Sequence, residues 1–271
     1  MTRPSLPPAR PALRRVRGLL PALVLLAALI GCWQVVVTTR GVAPYLLPAP
    51  SRILDAFVGA RALLATPVLT TTEEAVAGLL IGAAVGALLA IALAAAPVVR
   101  RALYPLLVAS QTVPMIVLAP LLVLWFGYGL APKVVVVALI VFFPVVVSTV
   151  AGLTGVDGEM VDLVRGMGAS RLQVLRIVLV PAAVPAFFSG LRISAAYAVA
   201  GAVVGEWVGA SSGLGIFIDR SKASFRVDRV FVAVVIIALL SMALFALVGL
   251  GARLASPWRY AAGAADREVA P

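Results

Sequence analysis

The sequence predicts an all-α membrane protein, a polytopic bundle of six transmembrane helices. Three observations predict it. Of 271 residues, 63% are hydrophobic and 12% are charged; a soluble domain has about half apolar residues and about a quarter charged. Six mainly apolar runs, near residues 18–37, 75–98, 103–126, 133–153, 186–208 and 230–254, reach the length of about 20 residues that a spanning helix needs. The basic residues, 20 Arg and 2 Lys, sit in short clusters between these runs, as expected when Lys and Arg are retained on the cytoplasmic side. That spacing, despite a net charge of +11, argues against a nucleic-acid surface. The chain has no histidine and one cysteine, Cys32. His-based acid–base chemistry, a Ser-His-Asp triad and an intrachain disulfide are excluded, as are most zinc sites, and no metal is expected.

Charge assigns the ends. Residues 1–17 are expected to form a basic cytoplasmic tail, 18–256 the transmembrane domain and 257–271 a second cytoplasmic tail. With the N-terminus inside, thirteen basic residues fall on the cytoplasmic side: Arg3, Arg10, Arg14, Arg15, Arg17, Arg100, Arg101, Arg165, Arg171, Arg176, Arg253, Arg259 and Arg267. Eight fall outside, among them Lys133 and the arginines of "DRSKASFRVDR", residues 219–229, a loop unusually basic for that side. In the first run, "LLAALIGC" ends at Cys32 like a lipoprotein cleavage box. Five more spans follow it, so an uncleaved first helix is expected.

"GVAPYLLPAPSRILDAF", residues 41–57, opens with turn-forming prolines. An amphipathic helix is expected after them, with Ser51 as N-cap and Ile53, Leu54, Phe57 and Val58 on one face. "TTTEE", Thr70 to Glu74, is expected to cap the second span. Ser110, Gln111 and Thr112 with Pro114 and Pro120 make the third span irregular. Broken membrane helices line cavities or pack on protein, and Gln111, Thr112 and Pro114 are candidate pathway residues. Ser189, Arg192, Ser194 and Tyr197 give the fifth span a polar side, to line the pathway or bond neighbouring helices; Tyr197 is the pathway candidate. Glu206 is costly within a span and is a candidate gate, with Trp207 beside it; the other reading places both at the interface. Fourteen residues, about 20 Å of helix, separate Glu206 from Arg192 and exclude a direct pair. "GASSGLG", residues 209–215, reads as a tight outer turn, and without a Gly-Lys-Ser/Thr there is no Walker A motif.

The segment "VDLVRGMGASRLQVLRIVLVPAAVP", Val161 to Pro185, interrupts the apolar pattern with Asp162, Arg165, Arg171 and Arg176. Met160, Leu163, Val164 and Met167 fall at i, i+3, i+4 and i+7, one apolar face of a short helix. Gly168 can end it in a left-handed turn, Ser170 can cap a second helix, and Pro181 and Pro185 are expected to bend or break the chain. Such a helix lies on a membrane surface or docks its ridge in a partner's groove.

The segment resembles the cytoplasmic loop that marks permease subunits of bacterial ATP-binding-cassette (ABC) importers: E-A-A, three residues, Gly, nine residues, then I-x-L-P. Here Gly168 is followed by nine residues and then Val178-Leu179-Val180-Pro181. Asp162, Leu163 and Val164 stand where E-A-A is expected. "LLPAPSRILDAF", "QTVPMIVLAPLLVLWFGYGLAPK" and "GAVVGEWVGASSGLGIFI" are similar to the nitrate/sulfonate/taurine branch of these permeases, and "LWFGYGLAPK", "GEWVGASSGLG" and "SFRVDRVF" most resemble permeases for the pyrimidine precursor of thiamine. The resemblance implies a type I importer permease of the bacterial inner membrane, with the MetI-like fold and without catalytic residues. It implies a coupling loop over about 154–181 whose Asp162, Leu163, Val164, Gly168, Ala169 and Pro181 meet an ATPase dimer. That dimer would hold the ATP and Mg, and this chain no cofactor. A binding protein outside and a second copy of the permease are the other implied partners, besides membrane lipid. Hydroxymethylpyrimidine is the expected cargo, with sulfonate or taurine, nitrate and riboflavin as alternatives. A secondary transporter would want buried ion-coupling charges, for which Glu206 and Arg192 are thin support; a lipid-acting enzyme would want a clustered catalytic set that the scattered acids do not supply.

Overall fold

The computed structural model describes residues 11–257, and side chains from residue 20 onward. Residues 1–10 of the expected N-terminal tail and 258–271 of the C-terminal one lie outside the described residues. Among the described residues the α-helices are, in order, α1 (Pro11–Thr39), α2 (Pro50–Ala95), α3 (Pro97–Ser110), α4 (Met115–Phe126), α5 (Leu130–Thr154), α6 (Gly158–Gly166), α7 (Arg171–Val174), α8 (Val180–Glu206), α9 (Leu214–Ala223) and α10 (Val227–Ala255), with a π-helical stretch, Leu175–Leu179, joining α7 to α8. Among the described residues there is no strand. By length and composition five helices among the described residues can cross a membrane, and there are six spans if α3 and α4 count as one.

Two sequence expectations are corrected, and one is sharpened. The amphipathic helix and the second span are one continuous 46-residue helix, α2. At 1.5 Å per residue it is about 69 Å long, so Thr70–Glu74 caps nothing. Its threonines are accommodated inside the helix, with the Thr70 and Thr72 hydroxyls donating to the carbonyls of Thr66 and Val68 at 3.0 and 2.7 Å. The third span is irregular, as its sequence predicts: α3 and α4 meet at 99°. Pro114, which cannot continue a helix from the preceding turn, stands in extended conformation at the start of α4. Pro181 and Pro185, in contrast, do not break the chain, and helix runs from Arg171 to Glu206. The reason lies in the π stretch. Pro181 cannot donate to the carbonyl four residues back; the turn before it widens, and the Val180 N–H reaches five residues back to Leu175 O.

The chain divides into two compact units. The first takes the described residues up to Arg61 together with Ser221–Val232. In it the Gln34 amide holds the start of α2: its Nε2 donates to Ser51 Oγ at 3.2 Å and its Oε1 accepts from the Ser51 N–H at 3.1 Å. The Trp33 and Phe231 rings stack at a tilt, 5.7 Å between centroids.

The second unit comprises Ala62–Arg220 and the described residues from Ala233, and α5 is its axis. One face of α5 packs on α2, where Gly78, Gly82 and Gly86 oppose Val137, Val141 and Val145. Both rows advance four residues at a time, so they face each other over two turns. A Cβ on Gly82 would sit on the Ala138 carbonyl. Close approach of small residues is how helices associate where lipid replaces water and hydrophobic pressure between helices is absent. Another face of α5 packs on α8, where a Cβ on Gly190 would meet Pro144 O and Ser148 and the Ser194 hydroxyl donates to Val141 O at 3.0 Å. Ala75, Leu79 and Ala83 of α2, Val137, Val141 and Val145 of α5, Ala195, Ala198, Val199 and Ala202 of α8, and Leu244 of α10 make one buried cluster of the core, and Ala90, Leu93, Val146, Val150, Leu153 and Ala183 make another.

Candidate coupling loop and translocation residues

The loop after α5 is built from local signals. Asp157 caps α6, its carboxylate accepting the Glu159 N–H at 3.0 Å. Gly168 leaves the helix at φ +90°, a conformation in which a Cβ is strained. The turn then closes with the Gly168 N–H on Arg165 O at 2.9 Å and the Ala169 N–H on Val164 O. Ser170 restarts the helix with a capping box: its N–H donates to Gln173 Oε1 at 2.7 Å and its hydroxyl accepts from the Gln173 N–H. The result is a two-helix elbow, capped at each turn, whose α6 ridge is bare. Leu163 is 66% exposed and Met167 80%, and Met160 is exposed beside them. Asp162 lies off the ridge, 3.8 Å from Arg165, an exposed pair of little energetic weight. Val164 and Ala169 are half-buried, and Pro181 sits in the first turn of α8. A cavity of about 910 Å³ lies between the α2–α3 junction at Ala94, Ala95 and Pro97 and the elbow at Arg165, Ser170 and Arg171.

The pathway candidates separate into two groups. Gln111 and Thr112 form the exposed bend between α3 and α4, with Pro114 following. Tyr197 is 61% exposed on α8, and neither its side chain nor that of Gln111 is hydrogen-bonded to the described residues. Glu206 belongs elsewhere: it is wholly buried, while its neighbour Trp207 is partly exposed. Thr71 Oγ1 donates to Glu206 Oε1 at 2.5 Å, and the Gly215 N–H donates to Glu206 Oε2 at 2.5 Å. Thr71 is engaged twice, because its oxygen also accepts the Leu214 N–H at 2.9 Å. Beside them Lys133 Nζ donates to Glu74 Oε1 at 2.7 Å, with both side chains out of solvent. Gly213 and Gly215 are required here, because a Cβ on either would collide with the Glu206 carboxylate.

Sequence reading named Glu206 and missed Thr71, Glu74 and Lys133. In the sequence Thr71 and Glu74 read as a cap, and Lys133 reads as a residue of an outer loop. The available signal was their presence beside apolar runs, where an unpaired charge is costly. Arg192 turns away from this cluster: its Nη2 donates to Gly249 O at 3.1 Å and its guanidinium lies over the Phe245 ring.

The comparisons with known proteins fit this geometry. Residues 78–257 match the family model described as the binding-protein-dependent transport system inner membrane component. The chain belongs to that family. It is the permease subunit of an ABC importer, a family of non-catalytic membrane subunits. The permease is 38% identical over 247 residues to the formylaminopyrimidine transport permease protein ThiX of Halalkalibacterium halodurans, covering 91% of this chain and 98% of that one. It is 38% identical over 237 residues to the riboflavin transport system permease protein RibX of Chloroflexus aurantiacus, covering 87% and 88%. Among solved structures, the inward-facing MetNI methionine ABC transporter matches with TM-score 0.56 at 20% identity, over 68% of this chain and 94% of that one. The permease therefore has the type I importer fold that the sequence predicts.

Proposed function

We propose that two copies of this permease form the translocation pathway of an importer for the pyrimidine precursor of thiamine. A binding protein delivers the cargo at the outer face, and an ATPase dimer engages the loop Gly158–Arg176 inside the cell. Both termini lie in the cytoplasm. The bare apolar ridge of α6 carries the docking part of this reading: Met160, Leu163 and Met167 stay exposed on a helix whose two ends are firmly capped. A ridge of this kind fits a groove on a partner. Movement of the elbow would rock α8, and substrate would pass between the two copies by alternating access. Gln111, Thr112, Pro114 and Tyr197 are the proposed pathway residues. The cargo reading is supported by the likeness to ThiX over nearly the whole of both chains.

RibX has the same 38% identity over somewhat less of both chains, so riboflavin is the second reading; sulfonates and nitrate follow. The test is uptake of labelled 4-amino-5-hydroxymethyl-2-methylpyrimidine and of labelled riboflavin, in cells with and without this gene. Each strain is measured with the ATPase partner intact and inactivated, after other uptake routes for both compounds are deleted. Pyrimidine uptake that needs both genes is the expected result. Riboflavin uptake alone would reassign the cargo, and uptake independent of the ATPase would make the chain a secondary transporter.

A further inference from the structure

The basic run at residues 219–229 has no part in the transport reading. Its last residues line a cavity of about 510 Å³ with Ser51, Arg52, Asp55, Ala56 and Gly59 from the start of α2. Opposite them stand Arg226, Asp228 and Arg229. Asp228 is buried and fully engaged. Arg226 donates to it from Nε and Nη2, each at 3.1 Å, and the Arg229 backbone N–H donates to its Oδ1 at 2.9 Å. That carboxylate therefore answers Arg226. The Arg229 side chain keeps a buried Nε with no hydrogen-bond partner. Three arginines line the cavity against two aspartates, so it retains positive charge. A guanidinium donor with no acceptor in a concave, net-positive site matches the planar, bidentate recognition of a phosphate.

The neighbouring surface separates a lipid from a free ion. Arg52, Asp55, Ala56 and Gly59 recur at i, i+3, i+4 and i+7 and share one face of α2. Next to Asp55 around α2 stands Val58, 61% exposed, with Leu54 one turn before it, 67% exposed. Inorganic phosphate would use only the polar half of this arrangement, whereas a phospholipid presents both a phosphate and an acyl chain. We propose that the cavity binds the phosphate of an anionic phospholipid through Arg52 and Arg229, with the acyl chain against Leu54 and Val58.

The test uses the full chain, purified in detergent and stripped of lipid, titrated with phosphatidylglycerol, phosphatidylcholine or inorganic phosphate while its thermal unfolding midpoint is followed. Phosphatidylglycerol should raise the midpoint saturably, and the other two should not. R52Q and R229Q should each weaken the apparent affinity by roughly tenfold, the loss of one charge-assisted hydrogen bond. Arg52 is exposed, so R52Q probes the site even if R229Q fails to fold. An equal response to phosphatidylcholine, or unchanged affinity in R52Q, would overturn the proposal. A response to inorganic phosphate equal to that of phosphatidylglycerol would overturn the lipid assignment.

Discussion

Thr71 carries two bonds in the buried cluster, so its hydroxyl can be removed almost without changing shape. In Thr71→Val the Glu206 carboxylate loses its 2.5 Å donor and the Leu214 N–H loses its 2.9 Å acceptor. A hydrogen bond to a charged group is worth about 1.5–3 kcal/mol, and a buried donor left unsatisfied costs about 1–3 kcal/mol. The relief of no longer burying a hydroxyl offsets part of this, leaving a net loss of about 2–5 kcal/mol. Thr71→Ser is the control: it keeps both bonds and loses one methyl, about 0.8 kcal/mol. For a chain of this size 1 kcal/mol moves a melting midpoint by about 2–4 °C. Thermal unfolding of the detergent-purified chain should place T71V about 5–15 °C below wild type. T71S should stay within about 3 °C of it. Equal midpoints for T71V and T71S would show that the bonds to Glu206 and Leu214 do not hold the α8–α9 turn against α2.

Lys133→Met leaves Glu74 buried with no donor, because its second oxygen already lacks one. The expected loss is about 3–5 kcal/mol, read in the same unfolding assay, and K133M/E74L should recover most of it. At Gly168 a Cβ meets nothing within 4 Å, but the backbone sits at φ +90°. Gly168→Val should therefore act through the turn rather than through crowding. ATP hydrolysis and membrane insertion should persist while uptake falls, and normal uptake in G168V would defeat the coupling assignment.

Both the class of fold and the loop were legible in the sequence for physical reasons. Long apolar runs state a membrane protein directly, and the loop carries its own local chemistry: a helical apolar period from Met160 to Met167, a glycine where φ turns positive, and a serine three residues before a glutamine. What was illegible depends on partners distant in sequence. Thr71 bonds Glu206 across 135 positions and Lys133 bonds Glu74 across 59. Read locally, "TTTEE" is a good cap, and only the approach of α5 and the α8–α9 turn makes it the middle of a helix. The glycine row Gly78, Gly82 and Gly86 was visible as composition, but its meaning lay in the valines of α5. Pro181 and Pro185 misled because a proline ordinarily ends a helix, and nothing local announces that a π turn will absorb one.

That π turn is open to a test of its own. The column from Arg171 to Glu206 has 36 residues, about 54 Å of helix. Its far end is pinned through Glu206 to Thr71 and Gly215, and its near end carries the elbow proposed for coupling. Between them Leu175–Leu179 holds a wider ring, closed by the Val180 N–H on Leu175 O, in the turn just before a residue that donates no bond. Pro181→Ala returns that donor and lets residue 181 bond Ile177 O, so an ordinary α-turn becomes available. Replacing the wide turn by an α-turn removes the equivalent of one residue from the helical count and turns everything before it by about 100°. The Leu163–Met167 ridge would then face a different direction while every helix persists. P181A should be as stable to heat as wild type or more so, because an interior proline is the worst helix former, and yet should lose uptake. Wild-type uptake in P181A, with the altered turn verified by structure, would mean that the orientation of the ridge is not what links the elbow to α8.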